Sequence, residues 1–364
     1  MAGFEGTVWA PGQLSYTLED KRREMLAVSA GTPAVSRSVH YGLCLTFEGI
    51  RFFVREEGGR YHASFLNLDH NLGRFQRGIG FNLSDPQQAW VPSVDELRSL
   101  ILHFLRDPIH RPFIEEMAAL GSQGYLRPFT IDADQSIGVT FPGRPTIRIV
   151  GNHYESYLGE PFNGVAIPFL VRATRANGTG CLKLGGNYLM SVKAVQAARK
   201  IHVEAASALF LDDRTDLPLA ERTISEWDSS CALIALTNGH VIRIPDSPLI
   251  LPSVTVRGIT SILQDEGVEV EERDMTYGEL IRRAKFGEVA TICSIGTAGI
   301  LNRCTKLWLA DMEGVVIGEV SSQLDHPIAQ ALGAARKRYW DIYRGESEPA
   351  PGLKLESFEL GAAA

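Results

Sequence analysis

Lys183-Leu184-Gly185-Gly186-Asn187-Tyr188 sets a lysine directly before a glycine pair. Upstream, the apolar run from Gly164 to Val171 reads as a strand. Downstream, Tyr188 to Arg199 has few breakers and reads as a helix. The stretch is therefore a strand, a tight turn and a helix. It marks the start of a second half in which strands and helices alternate. The lysine has two readings. It is a surface residue beside a Gly-Gly turn, or it is an amine held near backbone so that it can react with a carbonyl carbon.

Composition narrows the classes. The chain has 364 residues, enough for one large or two medium domains. It is 45% hydrophobic and 22% charged, an ordinary globular balance. A net charge of −7 disfavours a generic surface for nucleic acid or anionic membrane. The cysteines, Cys44, Cys181, Cys231, Cys293 and Cys304, are odd in number and scattered, without a C-x-x-C pair. That argues for a reducing compartment and against a disulfide framework or a zinc site. The N-terminal residues carry no basic segment followed by an apolar one, and no apolar run reaches membrane-spanning length. A cytoplasmic location is expected.

Residues 1–36 read as irregular, being rich in Gly, Pro, Ser and Thr. Strands are expected at Tyr41–Phe47, Ile50–Arg55, Tyr61–Leu66, Ser136–Val139 and Thr146–Val150. Ser93-Val-Asp-Glu96 is a capping box ahead of an amphipathic helix. This first half reads as α+β. Residues 154–162 look like a loop between domains. Further on, Ser207–Leu211, Cys231–Leu236, Val241–Ile244 and Val289–Cys293 read as strands, with Asn238-Gly239 as a hairpin turn. Helices are expected at Val256–Gln264, at Glu279–Phe286 behind a Thr276 cap, and at Pro327–Tyr343.

Several separated motifs occur in one order. They are His40-Tyr41-Gly, Phe47-Glu-Gly49-Ile-Arg51, Asn71-Leu-Gly-Arg74-Phe and Tyr125-Leu-Arg127-Pro. Then come Lys183-Leu-Gly-Gly-Asn-Tyr188, Ile-Ser-Glu226, Leu251-Pro-Ser-Val254-Thr255 and Gly296-Thr297-Ala298. Together they resemble the pyridoxal-phosphate-dependent aminotransferases of fold type IV, and most closely the branched-chain amino-acid aminotransferases. The resemblance runs from His40 to about Tyr343. It implies an α+β, mixed α/β fold of two domains, the D-amino-acid aminotransferase-like architecture, with pyridoxal 5'-phosphate at the domain interface. The domains would span 1–155 and 166–360, with an interdomain loop over 156–165.

Roles follow from the resemblance, residue by residue. Lys183 matches the Schiff-base lysine, which must be able to be neutral to move a proton. Glu226 matches the carboxylate facing the pyridine nitrogen, and Tyr188 the tyrosine on the phenolic oxygen. Arg74 matches the phosphate arginine. Val254 and Thr255 would offer backbone N–H groups at a helix N-terminus, and Thr297 its hydroxyl. On the substrate side, Tyr41, Phe47, Gly49 and Arg51 match a pocket strand. Tyr125, Arg127 and the loop residue Tyr157 match groups near the substrate carboxylate, and the backbone of Thr297 and Ala298 would hold it. The family is built as homodimers. No metal, nucleic acid or membrane partner is implied.

The chain also departs from the pattern. Cys231 stands where an asparagine is usual, and Ser253 replaces a glycine of the phosphate turn. Gly299-Ile-Leu-Asn-Arg303-Cys304 replaces a hydrophobic run, and the redox Cys-x-x-Cys of that region is absent. Asp212 to Arg222 reads as an insertion. These departures touch the pocket wall, where one contact changes discrimination by about 1–3 kcal/mol. The expected reaction moves an amino group between a hydrophobic L-amino acid and a 2-oxo acid such as 2-oxoglutarate, in ping-pong fashion. A secondary-metabolism aminotransferase, or a lyase or cyclase on an unusual amino acid, is the alternative.

Overall fold

The structure is a computed structural model describing residues 6–154 and 161–363. Its first sheet is built from β1 (Val8–Trp9), β2 (Gly12–Thr17), β3 (Arg23–Ala27), β4 (Ile50–Glu57), β5 (Arg60–Leu66), β6 (Gln123–Asp132) and β7 (Pro145–Tyr154). All their pairings are antiparallel. Helices α1 (Arg37–Tyr41), α2 (Leu68–Phe81), α3 (Val94–Arg106) and α4 (Arg111–Leu120) belong to this half. Leu72, Phe75, Leu100, Phe104 and Ile114 pack from the last three helices onto Phe52, Phe65 and Leu126 of the sheet.

The second half contains β8 (Phe162–Ile167), α5 (Tyr188–Ile201), β9 (Ser207–Leu211), β10 (Ile224–Trp227), β11 (Cys231–Leu236) and β12 (Val241–Arg243). It continues through α6 (Val254–Asp265), β13 (Val270–Glu272), α7 (Tyr277–Lys285), β14 (Val289–Gly296), β15 (Ile300–Ala310), β16 (Val316–Ser321) and α8 (Pro327–Tyr343). The strand order is β10-β9-β8-β15-β14-β11-β12-β13, and β10 also pairs with β11. That extra pairing closes six of the strands into a ring, which removes their open edges. A last strand, β17 (Leu355–Ala362), leaves this half and pairs antiparallel with β5 of the first sheet.

Local chemistry explains most elements. Ser93 Oγ accepts from Glu96 N and Glu96 Oε2 accepts from Ser93 N, so the expected capping box starts α3. Gly239 has φ +92 in the Asn238-Gly239 turn between β11 and β12. Three expectations fail. Tyr41–Phe47 is not a strand: Ser36 caps α1 through its hydroxyl, and Gly42 ends it with φ +66. Ser136–Val139 forms no strand, because Arg37 pulls the segment in through Ser136 Oγ and Gly138 O, both at 2.8 Å. Within residues 6–36 the described chain is not irregular but carries β1, β2 and β3. Leu14 and Tyr16 alternate inward along β2, which pairs with β3 and β7. A fourth expectation is shortened: β8 stops at Ile167, and a turn-rich stretch leads from there to Lys183.

The insertion at Asp212–Arg222 is knitted to the ring by a buried charge. Asp212 accepts from Thr223 N at 3.1 Å and Thr223 Oγ1 at 2.9 Å, and it faces Arg222, whose Nη1 donates to Pro168 O at 2.6 Å. The side chains of Asp212 and Arg222 are both 1% exposed. Against the cost of burial, the bonds from Thr223 and Arg214 hold the Asp212 carboxyl below its ordinary value. Asp212→Ala would strand Arg222 as a buried cation. The expected cost is about 3–5 kcal/mol of folding stability, read from the denaturant midpoint. A loss within a few tenths of a kcal/mol would mean that the pair is dispensable.

Candidate active site

Lys183 sits where the two halves of the chain are stitched together. Phe47 N donates to Lys183 O at 3.0 Å, Gly185 N donates to Leu45 O at 3.2 Å, and Thr46 and Leu184 form an antiparallel bridge. Gly185 and Gly186 open a short 3-10 turn before α5. A Cβ on Gly186 would meet nothing within 4 Å, so protein packing does not demand this glycine. A cavity of about 310 Å³ lies beside the lysine and is lined from both halves of the chain.

Nine expected residues line it: Phe47, Arg74, Tyr125, Arg127, Lys183, Tyr188, Glu226, Thr297 and Ala298. Lys183 Nζ is 3.3 Å from Tyr188 Oη and 5.2 Å from the centroid of the Phe47 ring. The Arg127 guanidinium lies over the same ring at 4.6 Å and donates to Tyr125 Oη at 2.9 Å. Gly49 is small for a reason: a Cβ there would collide with the Tyr125 hydroxyl.

Glu226 is buried on β10, with Arg172 Nη2 at 2.7 Å from its Oε1. Even so, that oxygen makes no hydrogen bond of good geometry, and neither does Arg172 Nη1. Burial pushes the carboxyl from 4.5 up to about 7, against the pull of Arg172, a backbone bond and Lys183. A buried carboxylate oxygen without a well-aligned donor fits a ligand that brings one, such as a protonated ring nitrogen.

Arg74 donates from Nε and Nη2 to the two oxygens of Glu48, each at 2.7 Å, and from Nη1 to Pro252 O at 2.8 Å. Its five N–H groups leave two for an anion. Despite full burial, Arg74 holds the Glu48 carboxyl below its ordinary value. Val254 and Thr255 are the first residues of α6, so their N–H groups lack intrahelical acceptors. They border a small recess that shares Thr297 with the main cavity. Ser253 caps this helix, its Oγ accepting from Val256 N at 3.2 Å. The serine in the phosphate turn thus supplies a cap that a glycine lacks.

Arg51 is placed differently from the expectation. Its guanidinium is not on the cavity wall. Nε and Nη2 donate to Thr297 O at 3.1 and 2.5 Å, and Nη2 also donates to Ala298 O at 2.5 Å. In a trans peptide the N–H opposes the preceding C=O. The N–H groups of Ala298 and Gly299 therefore point away from Arg51, on the side where the turn borders the cavity. This moves the expected carboxylate donors one residue along the chain. Ile300, the next residue, has φ +61, which costs a β-branched residue about 1–3 kcal/mol. Tyr41 is not on the cavity wall either; it is 52% exposed at the end of α1. Tyr157 lies outside the described residues.

Glu48, Arg172 and Asn302 belong to the site and were not anticipated. Glu48 lies inside the Phe47-Glu-Gly49 motif, and that position was the available signal; its pairing with Arg74 is seen only in the fold. Arg172 follows an apolar run with no motif around it. Asn302 faces Ser294 across the β14–β15 pair and lines the wall with an unpartnered Oδ1. Cys231 also lines the cavity, and burial pushes its thiol up to about 12, so it acts as a small neutral group. All five cysteines are free, and no metal-holding cluster occurs among the described residues.

No family model matches the chain. It is 28% identical over 297 residues to a probable branched-chain-amino-acid aminotransferase of Staphylococcus aureus strain N315, covering 79% of this chain and 76% of that one. In structure it is similar to a branched-chain aminotransferase of Thermoproteus uzoniensis solved with norvaline, with a TM-score of 0.69 and 20% identity, covering 96% of this chain and 99% of that one. A branched-chain amino acid aminotransferase of Thermobaculum terrenum in its PLP form gives a TM-score of 0.66 at 16% identity, covering 93% and 95%. The fold is the fold-type IV arrangement expected from the sequence.

The Glu226 carboxyl gives the site a pH signature. Below about pH 4.5 it is neutral in folded and unfolded chains alike. Between 4.5 and about 7 only the unfolded chain ionises it, so its contribution to stability falls as pH rises and is lost above 7. The window corresponds to about 3 kcal/mol. Glu226→Gln should flatten that part of the profile, measured by thermal unfolding of ligand-free protein across the window. Parallel profiles for both proteins would show that Glu226 does not titrate there.

Proposed function

We propose that this chain belongs to the branched-chain amino-acid aminotransferases of fold type IV. In this reading it uses pyridoxal 5'-phosphate to move an amino group between a hydrophobic L-amino acid and a 2-oxo acid such as 2-oxoglutarate. The observation that carries it is the meeting of Lys183 with a buried, donor-seeking Glu226 in one cavity. Pyridoxal phosphate, when bound, supplies the aldehyde that carries the amino group and the ring that withdraws electrons from the substrate Cα.

The protein's own residues do the rest. Lys183 Nζ removes the Cα proton of the amino acid and holds it for return, within reach of the Tyr188 hydroxyl. Glu226 would accept a hydrogen bond from the ring nitrogen and keep it protonated. The two remaining N–H groups of Arg74, the N–H groups of Val254 and Thr255 and the Thr297 hydroxyl take the phosphate. The N–H groups of Ala298 and Gly299 at the end of the Thr297-Ala298 turn, with Tyr125 and Arg127, would receive the substrate carboxylate, and Phe47 offers apolar surface. Arg51 sets the direction of that turn from behind, and Gly49 makes room for Tyr125. One base and one carboxylate pocket serve both half-reactions, which is why donor and acceptor alternate in a single site.

The working unit in this reading is a homodimer. Val39 and Tyr41 of α1, with Ile137, Val139 and Phe141, are exposed, and Arg37 ties the two segments together. Such an apolar patch suits a second copy of the chain, and Tyr41 and the unplaced Tyr157 would act near that boundary. The division into 1–155, 156–165 and 166–360 is part of the reading, with β17 added to the first sheet. No helix among the described residues is long and apolar enough to cross a membrane. Free cysteines suit the cytoplasm.

The test is the visible spectrum of the purified protein with its cofactor, before and after single L-amino acids are added without an acceptor. Leucine, isoleucine or valine should bleach a yellow band. Lys183→Ala should abolish that response and lower turnover by about 10²–10⁴-fold or more. If only other donors bleach the band, the substrate assignment fails while the chemistry stands. With no band at all, the lysine assignment falls.

A further inference from the structure

The first sheet buries one face and leaves the other polar. Along β2, Leu14 and Tyr16 point to the core, so Gln13, Ser15 and Thr17 point outward. Their cross-strand partners share that outer face: Ser15 pairs with Glu24 of β3 and with Arg148 of β7, and Thr17 pairs with Thr146. Arg22 and Arg144, from the flanking turns, close the two sides. Together they surround a concavity of about 150 Å³, separate from the cavity at Lys183.

The charge of this concavity is unusual for a chain of net charge −7. Three guanidinium groups face one carboxylate, and the closest ion pair, Arg22 with Glu24, is 3.9 Å apart. Arg148 is the most buried of the three. Its Nη1 donates to Gln13 Oε1 at 3.0 Å, while its Nε is buried and has no hydrogen-bond partner. Burial presses this guanidinium below its ordinary value, with Glu24 opposing. A buried N–H without an acceptor is costly, and a charged one more so. The hydroxyls of Ser15, Thr17 and Thr146 add neutral donors around the same space.

We propose that this pocket binds a small oxyanion with the chemistry of phosphate, either free or as a monoester. Arg148, Arg22 and Arg144 line the space and bring charge-assisted donors to it. The volume admits a tetrahedral anion and excludes a nucleotide. Arg144 also anchors the base of the segment carrying Ile137, Val139 and Phe141. Its backbone N donates to Asp132 Oδ1 at 3.0 Å, and its O accepts from Ala133 N at 3.0 Å. An anion held by Arg144 and Arg148 therefore braces that segment against β2 and β3.

The test is calorimetric titration of the full chain, saturated with pyridoxal phosphate, using inorganic phosphate at constant ionic strength. One saturable site per chain is expected. Arg148→Gln and Arg144→Gln should each weaken it about ten-fold or more. Arg22→Gln changes an exposed side chain and should weaken it without disturbing the fold. Methyl phosphate run in parallel distinguishes the sources. Equal or tighter binding than phosphate points to a monoester, and weaker binding points to the free ion. The proposal is overturned by the absence of saturable binding, by binding that all three variants retain, or by binding that only Arg74→Gln removes, which would place the anion in the main cavity.

Discussion

The grip of Arg51 on the carbonyls of Thr297 and Ala298 organises this molecule. The arginine comes from β4 of the first sheet, and the turn joins β14 to β15 of the second. Arg51 is fixed in turn by Gln123, by the Trp340 ring at 4.6 Å and by the Tyr154 ring at 5.7 Å. With so many partners the guanidinium has no freedom to follow a ligand. Its effect on the site is indirect: it aims peptide N–H groups and holds Ile300 in a backbone conformation that this residue would leave if released.

Two buried carboxylates flank Lys183 and are treated in opposite ways. Glu48 receives two hydrogen bonds from Arg74 and one from Gly49 N, and it stays ionised. Glu226 has Arg172 close by, yet keeps an oxygen without a well-aligned donor and drifts toward neutrality. The first pair is complete and is structural, a support for the arginine that fills it. The second is incomplete, and an incomplete buried pair makes sense as a place where something else binds.

Residues whose place at the cavity is written in adjacent letters were legible. Lys183, Tyr188, Arg74 and Thr297 sit in short motifs, and the Ser93 and Thr276 caps follow from local spacing. What failed depended on partners distant in sequence. β2 is a strand because β7 pairs with it, and nothing near Gly12 announces that. Residues 136–139 are bent because Arg37 reaches across to them. Arg172 lines the cavity only because the chain folds it against Glu226 of β10. Arg51 was expected on the pocket wall and instead holds the Thr297-Ala298 turn from behind. Its motif gives an address, and only the geometry shows which way the side chain faces.

The pairing of β17 with β5 has a kinetic meaning. Leu355 lies opposite Leu66, so the first sheet gains an edge strand from residues that emerge from the ribosome last among those described. The remaining strands of that sheet can collapse early, but β5 keeps an open edge until β17 arrives. Contacts so far apart along the chain slow folding, and an edge left waiting is prone to mispairing. In the second half the most distant pairing of the ring, β8 with β15, sets Gly164 beside Leu307, a shorter reach along the chain than Leu66 to Leu355. Assembly of this protein thus ends on the domain where it began.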